Sequence, residues 1–163
     1  MSDARPAPTR PRLRKAAQAV LVFLAIYHVL TGILCVCFPE YSRDIYAKLY
    51  DFNPKYWDQY RLILKPWGSY ALFTGAVLFV AAWDPERYRG VIWFMACLLL
   101  IRCTYRVVFA GDAEEIFKMD RGRNYFNVAL MLGYNCVLIP WSVLQWRDAG
   151  SSGGLSEAPS PGS

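Results

Sequence analysis

A chain of 163 residues that is 55% hydrophobic and 16% aromatic, but only 19% charged, has too little polar sequence to wrap a soluble core around its apolar part. The formal net charge of +5 does not mark a nucleic-acid binder, because the basic residues form no patch across the chain. Arg5, Arg10, Arg12, Arg14 and Lys15 instead crowd into a tail just before the first apolar block.

Residues 1–12 are rich in Pro and Arg, show no apolar period, and are expected to form a disordered basic tail ahead of a membrane domain at 13–148. Residues 16–38 are the first of four apolar blocks, followed by 66–83, 91–110 and 126–146. Each falls in the ~17–25 residue range that spans a bilayer as a helix. Aromatic residues cluster at the block edges, as at Phe38 and Tyr41, Trp67 and Tyr70, Trp83, Trp93, Tyr125, and Trp141 and Trp146, where interfacial belts form. The first block is longer than a signal-peptide core and ends in Cys-Val-Cys-Phe-Pro-Glu without a small-x-small cleavage pattern, so it reads as a retained helix. On it His28, Thr31, Gly32 and Cys35 share one face.

Between the first two blocks, Tyr41, Ile45, Tyr46, Leu49 and Tyr50 recur at helical spacing. After the Asn53-Pro54 break, Tyr56, Trp57, Tyr60, Ile63 and Leu64 do so again, which predicts two short amphipathic helices at the interface. The second block carries Gly68, Gly75 and Ala82 at intervals of one heptad, beside Ala71. That stripe permits close helix approach within one bundle or between two copies. The third block contains Arg102 and Arg106 one turn apart and no carboxylate. The fourth places Asn124, Asn127, Met131 and Tyr134 on one face with Asn135 beside it, and Pro140 is expected to bend it. The Gly/Ser/Pro-rich residues 149–163 are expected to form a second disordered tail, and no internal sequence repeat is visible. The fold class is therefore all-α, a polytopic membrane protein built as a four-transmembrane-helix bundle with one or two short interfacial amphipathic helices.

The basic tail places the N-terminus in the cytoplasm by the positive-inside rule, and an even number of spans puts the C-terminus there too. Arg102 and Arg106 then lie in the centre and outer half of their helix. His28, Tyr70, Asn127 and Tyr134 fall in the central and outer parts of the others. These six residues define an expected outward-facing polar pocket. A guanidinium at membrane depth costs at least ~2.5–3.5 kcal/mol, so it needs compensation. Arg106 can snorkel to the headgroups. Arg102 lies deeper and would be met by Glu40 or Asp44 folded back over the mouth, or by a bound ligand. Two guanidiniums with amide and phenol donors suit an anion, a lipid phosphate or a quinone head group. His28 serves as a core histidine or as a proton carrier, and Asn127 and Tyr134 as interhelical hydrogen-bonding groups or as part of the pocket.

Five cysteines and one histidine close off several chemistries. No C-x-x-C dithiol motif occurs, Cys35-x-Cys37 is too isolated for a zinc site, and a single histidine cannot give a bis-histidine haem. A Cys35–Cys103 disulfide is compatible with their shared outer half. No iron–sulfur spacing or nucleotide loop is present, which leaves a quinone as the cofactor the polar face would suit.

The first helix closes in Phe38-Pro39-Glu40-Tyr41. The second opens Leu64-Lys65-Pro66-Trp67-Gly68-Ser69-Tyr70-Ala71-Leu72-Phe73-Thr74-Gly75, and Ala82-Trp83-Asp84-Pro85 links it tightly to the third. In this layout, over residues 16–146, the chain resembles the DoxX-like group of small four-helix membrane proteins and its BphX-like branch. The resemblance implies a membrane subunit, some DoxX-like members being parts of quinone-linked sulfur oxidation systems; it carries over no catalytic residue. Three functions fit these observations. The first is a non-catalytic accessory or subunit protein of the cell membrane that binds a lipid, quinone or anionic group, partnered by another membrane subunit or by itself as a homo-oligomer. The second is a quinone-linked membrane oxidoreductase component, and the third a small-solute transporter.

Overall fold

The computed structural model describes residues 11–50, 54–117 and 120–153, and all of the secondary structure in them is helical. Six α-helices follow in order: α1 (Pro11–Cys37), α2 (Pro39–Tyr50), α3 (Trp57–Trp83), α4 (Arg89–Val108), α5 (Ala110–Phe117) and α6 (Arg121–Gly153), with one short 3₁₀ turn, Pro54–Tyr56, before α3. Four of these, α1, α3, α4 and α6, are long and apolar enough to cross a membrane. The protein is a small multi-pass membrane protein whose apolar exterior, including Phe23, Leu30, Phe73, Phe94 and Ile101, faces lipid.

The spanning helices overrun the apolar blocks because polar residues start and extend them. α1 begins at Pro11, a residue suited to a first helical turn. α6 begins at Arg121, where the Asp120 carboxylate accepts the Arg123 N–H at 2.9 Å and so caps the helix start. At its other end α6 continues through Gly153. The remainder of both expected tails, residues 1–10 and 154–163, lies outside the described residues. The second expected amphipathic segment is not a separate helix: it is the first part of α3, which runs unbroken through Pro66. One proline removes a single N–H, and near it Ser69 donates to the Lys65 carbonyl at 3.1 Å. The short helix α5 was not anticipated from the mixed-charge segment after Ala110. It forms because Phe109, Ala113 and Ile116 keep helical spacing and Asp112 lies in the positive first turn.

The helices are arranged as two hairpins of the same plan. α1 packs most extensively on α3, with α2 laid against both; α4 packs on α6, with α5 against both; the pairs then meet through α1 with α6 and α3 with α4. The junctions repeat in detail. Phe38 N–H bonds Leu34 O and Ser42 N–H bonds Phe38 O, each at 3.0 Å, while Phe109 N–H bonds Tyr105 O and Ala113 N–H bonds Phe109 O, also at 3.0 Å. Each hairpin thus turns from membrane helix to interfacial helix at one phenylalanine without losing the hydrogen-bond ladder.

Close approach inside the first hairpin depends on glycine. A Cβ at Gly68 would lie 2.7 Å from Cys35 Cβ, and one at Gly75 would lie 2.6 Å from Val29 Cγ2 and 2.9 Å from the Ala25 carbonyl. The small-residue stripe is therefore spent within the bundle, against α1. The core proper (Leu21, Leu24, Leu78, Ile92, Met95, Leu99, Leu138 and Trp141) sits between the hairpins. At the N-terminal end Arg14 pairs with Glu86 (Nε to Oε1, 2.6 Å), and the Gln18 amide donates to the Ala82 carbonyl at 3.0 Å, fastening α1 to the α3–α4 turn. All five cysteines are free thiols; Cys35 Sγ lies 3.8 Å from the Tyr46 hydroxyl and Cys103 Sγ 3.8 Å from the Val128 carbonyl.

Candidate functional site

Two contacts set the register of α4 against α6. The Arg106 guanidinium donates to Asn124 Oδ1 at 2.9 Å while Asn124 Nδ2 donates back to the Arg106 carbonyl at 2.9 Å. One turn deeper, Cys103 faces Val128. In antiparallel helices this puts Arg102 level with Asn127 and Val128, and Tyr134 ~9 Å further toward the N-terminal side at 1.5 Å per residue. Asn124 is buried, and its reciprocal bonds to Arg106 explain why the pair can stand inside the bundle: a charged donor and a backbone acceptor are satisfied together.

Arg102 has no such arrangement. It is half-buried on α4, and no carboxylate or hydrogen-bond acceptor among the described residues meets its guanidinium. Glu40 and Asp44, the carboxylates expected to fold back over it, are engaged elsewhere. Arg43 bridges Glu40 at 3.0 Å and Asp44 at 2.9 Å and lies over the Trp57 ring, whose Nε1–H donates to Glu40 at 3.4 Å. Glu114, at the same end, pairs with Arg121. The neighbour Arg102 does have is His28, which lies within electrostatic reach of its charge from α1. His28 is buried, and its Nδ1 lies 2.7 Å from the Leu24 carbonyl. A carbonyl can only accept, so Nδ1 carries the hydrogen and donates, leaving Nε2 as the ring's second polar atom.

The other expected residues distribute as follows. Tyr134 is half-buried against Phe23, with ring centroids 5.8 Å apart, and has Tyr27 nearby. Asn127 is half-buried at the Arg102 level. Tyr70 is 73% exposed on the outer surface of α3, and no printed contact brings it to Arg102. Thus His28 and Arg102 come together, Asn127 shares their level, Arg106 is bonded to Asn124 just above, and Tyr134 stands below. Gly32 and Cys35, on the same α1 face as His28, serve the packing against α3.

Sequence reasoning placed Asn135 only near a polar face. In the structure it is 3% exposed, and neither atom of its amide finds a protein partner; Trp141 Nε1 and Ser142 Oγ on the same helix are likewise buried and unpartnered. Spacing could have found this, since Asn124, Met131, Asn135, Leu138 and Ser142 repeat at the core-facing intervals of a helix. No cluster of three or more His, Cys, Asp or Glu side chains able to hold a metal occurs among the described residues. Comparison with protein families, curated proteins and solved structures returns no match, so the architecture and the polar layer are the grounds on which function is argued.

Proposed function

We propose that this protein is an accessory or subunit protein of the cell membrane whose polar layer holds the anionic or carbonyl head of an amphipathic molecule, a lipid or a quinone, with Arg102 as its anchor. The observation that carries the reading is the unmet guanidinium of Arg102 inside a spanning helix. Arg106 one turn away has Asn124; Arg102 has only His28, whose Nε2 is a second group able to engage the same head. A charge kept at that depth without a protein partner is compensated when a phosphate, carboxylate or polarised carbonyl arrives from the bilayer. The basic N-terminal tail orients both termini to the cytoplasm, so the layer opens toward the outer side. The DoxX-like resemblance of residues 16–146 agrees with a subunit role.

The pairing of a guanidinium with an imidazole favours a second reading as well, a quinone-linked oxidoreductase component, in which His28 exchanges a proton with a quinone oxygen held by Arg102. The test is mass spectrometry of an organic extract of protein purified in mild detergent, wild type beside Arg102→Gln. A stoichiometric lipid or quinone in the wild type, absent from a folded Arg102→Gln, is the expected result. The same extract from both proteins would refute the assignment.

A further inference from the structure

At the opposite end of the bundle from the Arg102 layer, on the N-terminal side, an open cleft of about 500 Å³ lies between the start of α1 and the α3–α4 turn. That volume is in the ~300–1,000 Å³ range of small-molecule sites. One wall is apolar and belongs to the last turns of α3. Phe79 and Val80 are exposed on it, and Trp83, at the helix end, is 87% exposed, so this wall continues into the hydrocarbon and ends at headgroup depth.

The rest of the lining is charged, and its balance is informative. Arg14 is already neutralised by Glu86, through Nε at 2.6 Å and Nη2 at 3.4 Å. Arg87 is not: its guanidinium lies 5.6 Å from the centroid of the Tyr88 ring, and no carboxylate among the described residues pairs with it. Asp84 lines the same cleft, its carboxylate accepting the Arg87 backbone N–H at 3.3 Å and so fixing the turn that carries both residues. The cleft therefore presents one uncompensated cation and one carboxylate, with the aromatic faces of Trp83 and Tyr88 alongside. A purely anionic headgroup would set its second negative charge against Asp84. A headgroup with a phosphate and an ammonium satisfies both ends, the phosphate on Arg87 and the ammonium on Asp84 and the rings.

We propose that this cleft binds a zwitterionic aminophospholipid of the leaflet on the N-terminal side, with its phosphate at Arg87, its ammonium at Asp84 and one acyl chain along Phe79 and Val80. A bound lipid of this kind covers the outer face of the α3–α4 turn that Arg14 and Glu86 hold from within. It is independent of the Arg102 layer and stands or falls separately.

Native mass spectrometry of the full chain in detergent, titrated with phosphatidylethanolamine or phosphatidylglycerol of matched chains, tests it. The expected result is a preference of about fivefold or more for phosphatidylethanolamine, the size of one charge-assisted contact, abolished in Arg87→Gln. In Asp84→Asn the preference shifts toward phosphatidylglycerol. Arg87 is exposed, so its substitution leaves the fold intact even where Asp84→Asn disturbs the turn. Equal binding of the two lipids by the wild type, or unchanged phosphatidylethanolamine binding by Arg87→Gln, overturns the proposal. Binding of water-soluble glycerophosphoethanolamine as tightly as the lipid overturns it too, since the site would then serve a free phosphate ester without a chain.

Discussion

Gly32→Ala is the substitution whose cost the structure determines most directly. The added methyl would lie 2.6 Å from Leu72 Cγ, 2.7 Å from the Gly68 carbonyl oxygen and 2.8 Å from the Leu72 nitrogen. The first of these can rotate away. The other two are backbone atoms of α3, so relief requires α1 and α3 to part by more than half an ångström along their line of closest contact. That separation also loosens the contacts Gly68 makes with Cys35 and Gly75 makes with Val29, because all three glycines lie in one seam. Overpacking of this kind costs about 1–3 kcal/mol, and the upper part of that range is expected where backbone is involved. Gly133→Ala is the matched control. Nothing lies within 4 Å of a Cβ at Gly133, so the same chemical change there should leave stability unchanged or raise it by up to ~1 kcal/mol through helix propensity. Reversible unfolding in mixed micelles, followed by circular dichroism, measures both. Gly32→Ala with stability equal to the wild type would refute the close α1–α3 packing.

Two further outcomes are expected. Asn135→Leu removes a buried amide that meets no protein partner and should raise unfolding free energy by about 1 kcal/mol in the same assay; a loss of similar size would show that the amide is satisfied in the membrane by a group it holds there. Replacing Arg10, Arg12, Arg14 and Lys15 with neutral residues should scramble the side on which a C-terminal reporter appears, whereas an unchanged reporter would remove the charge argument for cytoplasmic termini.

The four spans and their all-α character were legible because hydrocarbon leaves the backbone almost no alternative: apolar runs of bilayer length must satisfy their hydrogen bonds internally. The first interfacial helix was legible for a related reason, its aromatic residues recurring at helical spacing between charges. The glycine stripe on α3 was legible as a close-packing device, but not which surface it meets, since partner choice depends on shape across two helices. Only the fold shows that α1 takes it.

The candidate site divides the same way. Arg102 and Arg106 look equivalent in sequence, two arginines one turn apart in one apolar run, and only the register of α4 on α6 separates them: it gives Arg106 an asparagine and leaves Arg102 beside His28. The carboxylates expected over Arg102 went to Arg43 because a partner three residues or one residue away on the same short helix costs less chain entropy than one reached across the mouth. The doubled hairpin plan left no trace in sequence, since the bilayer constrains helix length and polarity and tolerates many side chains. The sequence by itself determined that the chain crosses a membrane on four helices carrying buried charge. Tertiary structure decided which charge is met and which is left open, because compensation of a buried ion is settled by atoms within a few ångströms, contributed by helices far apart in the chain.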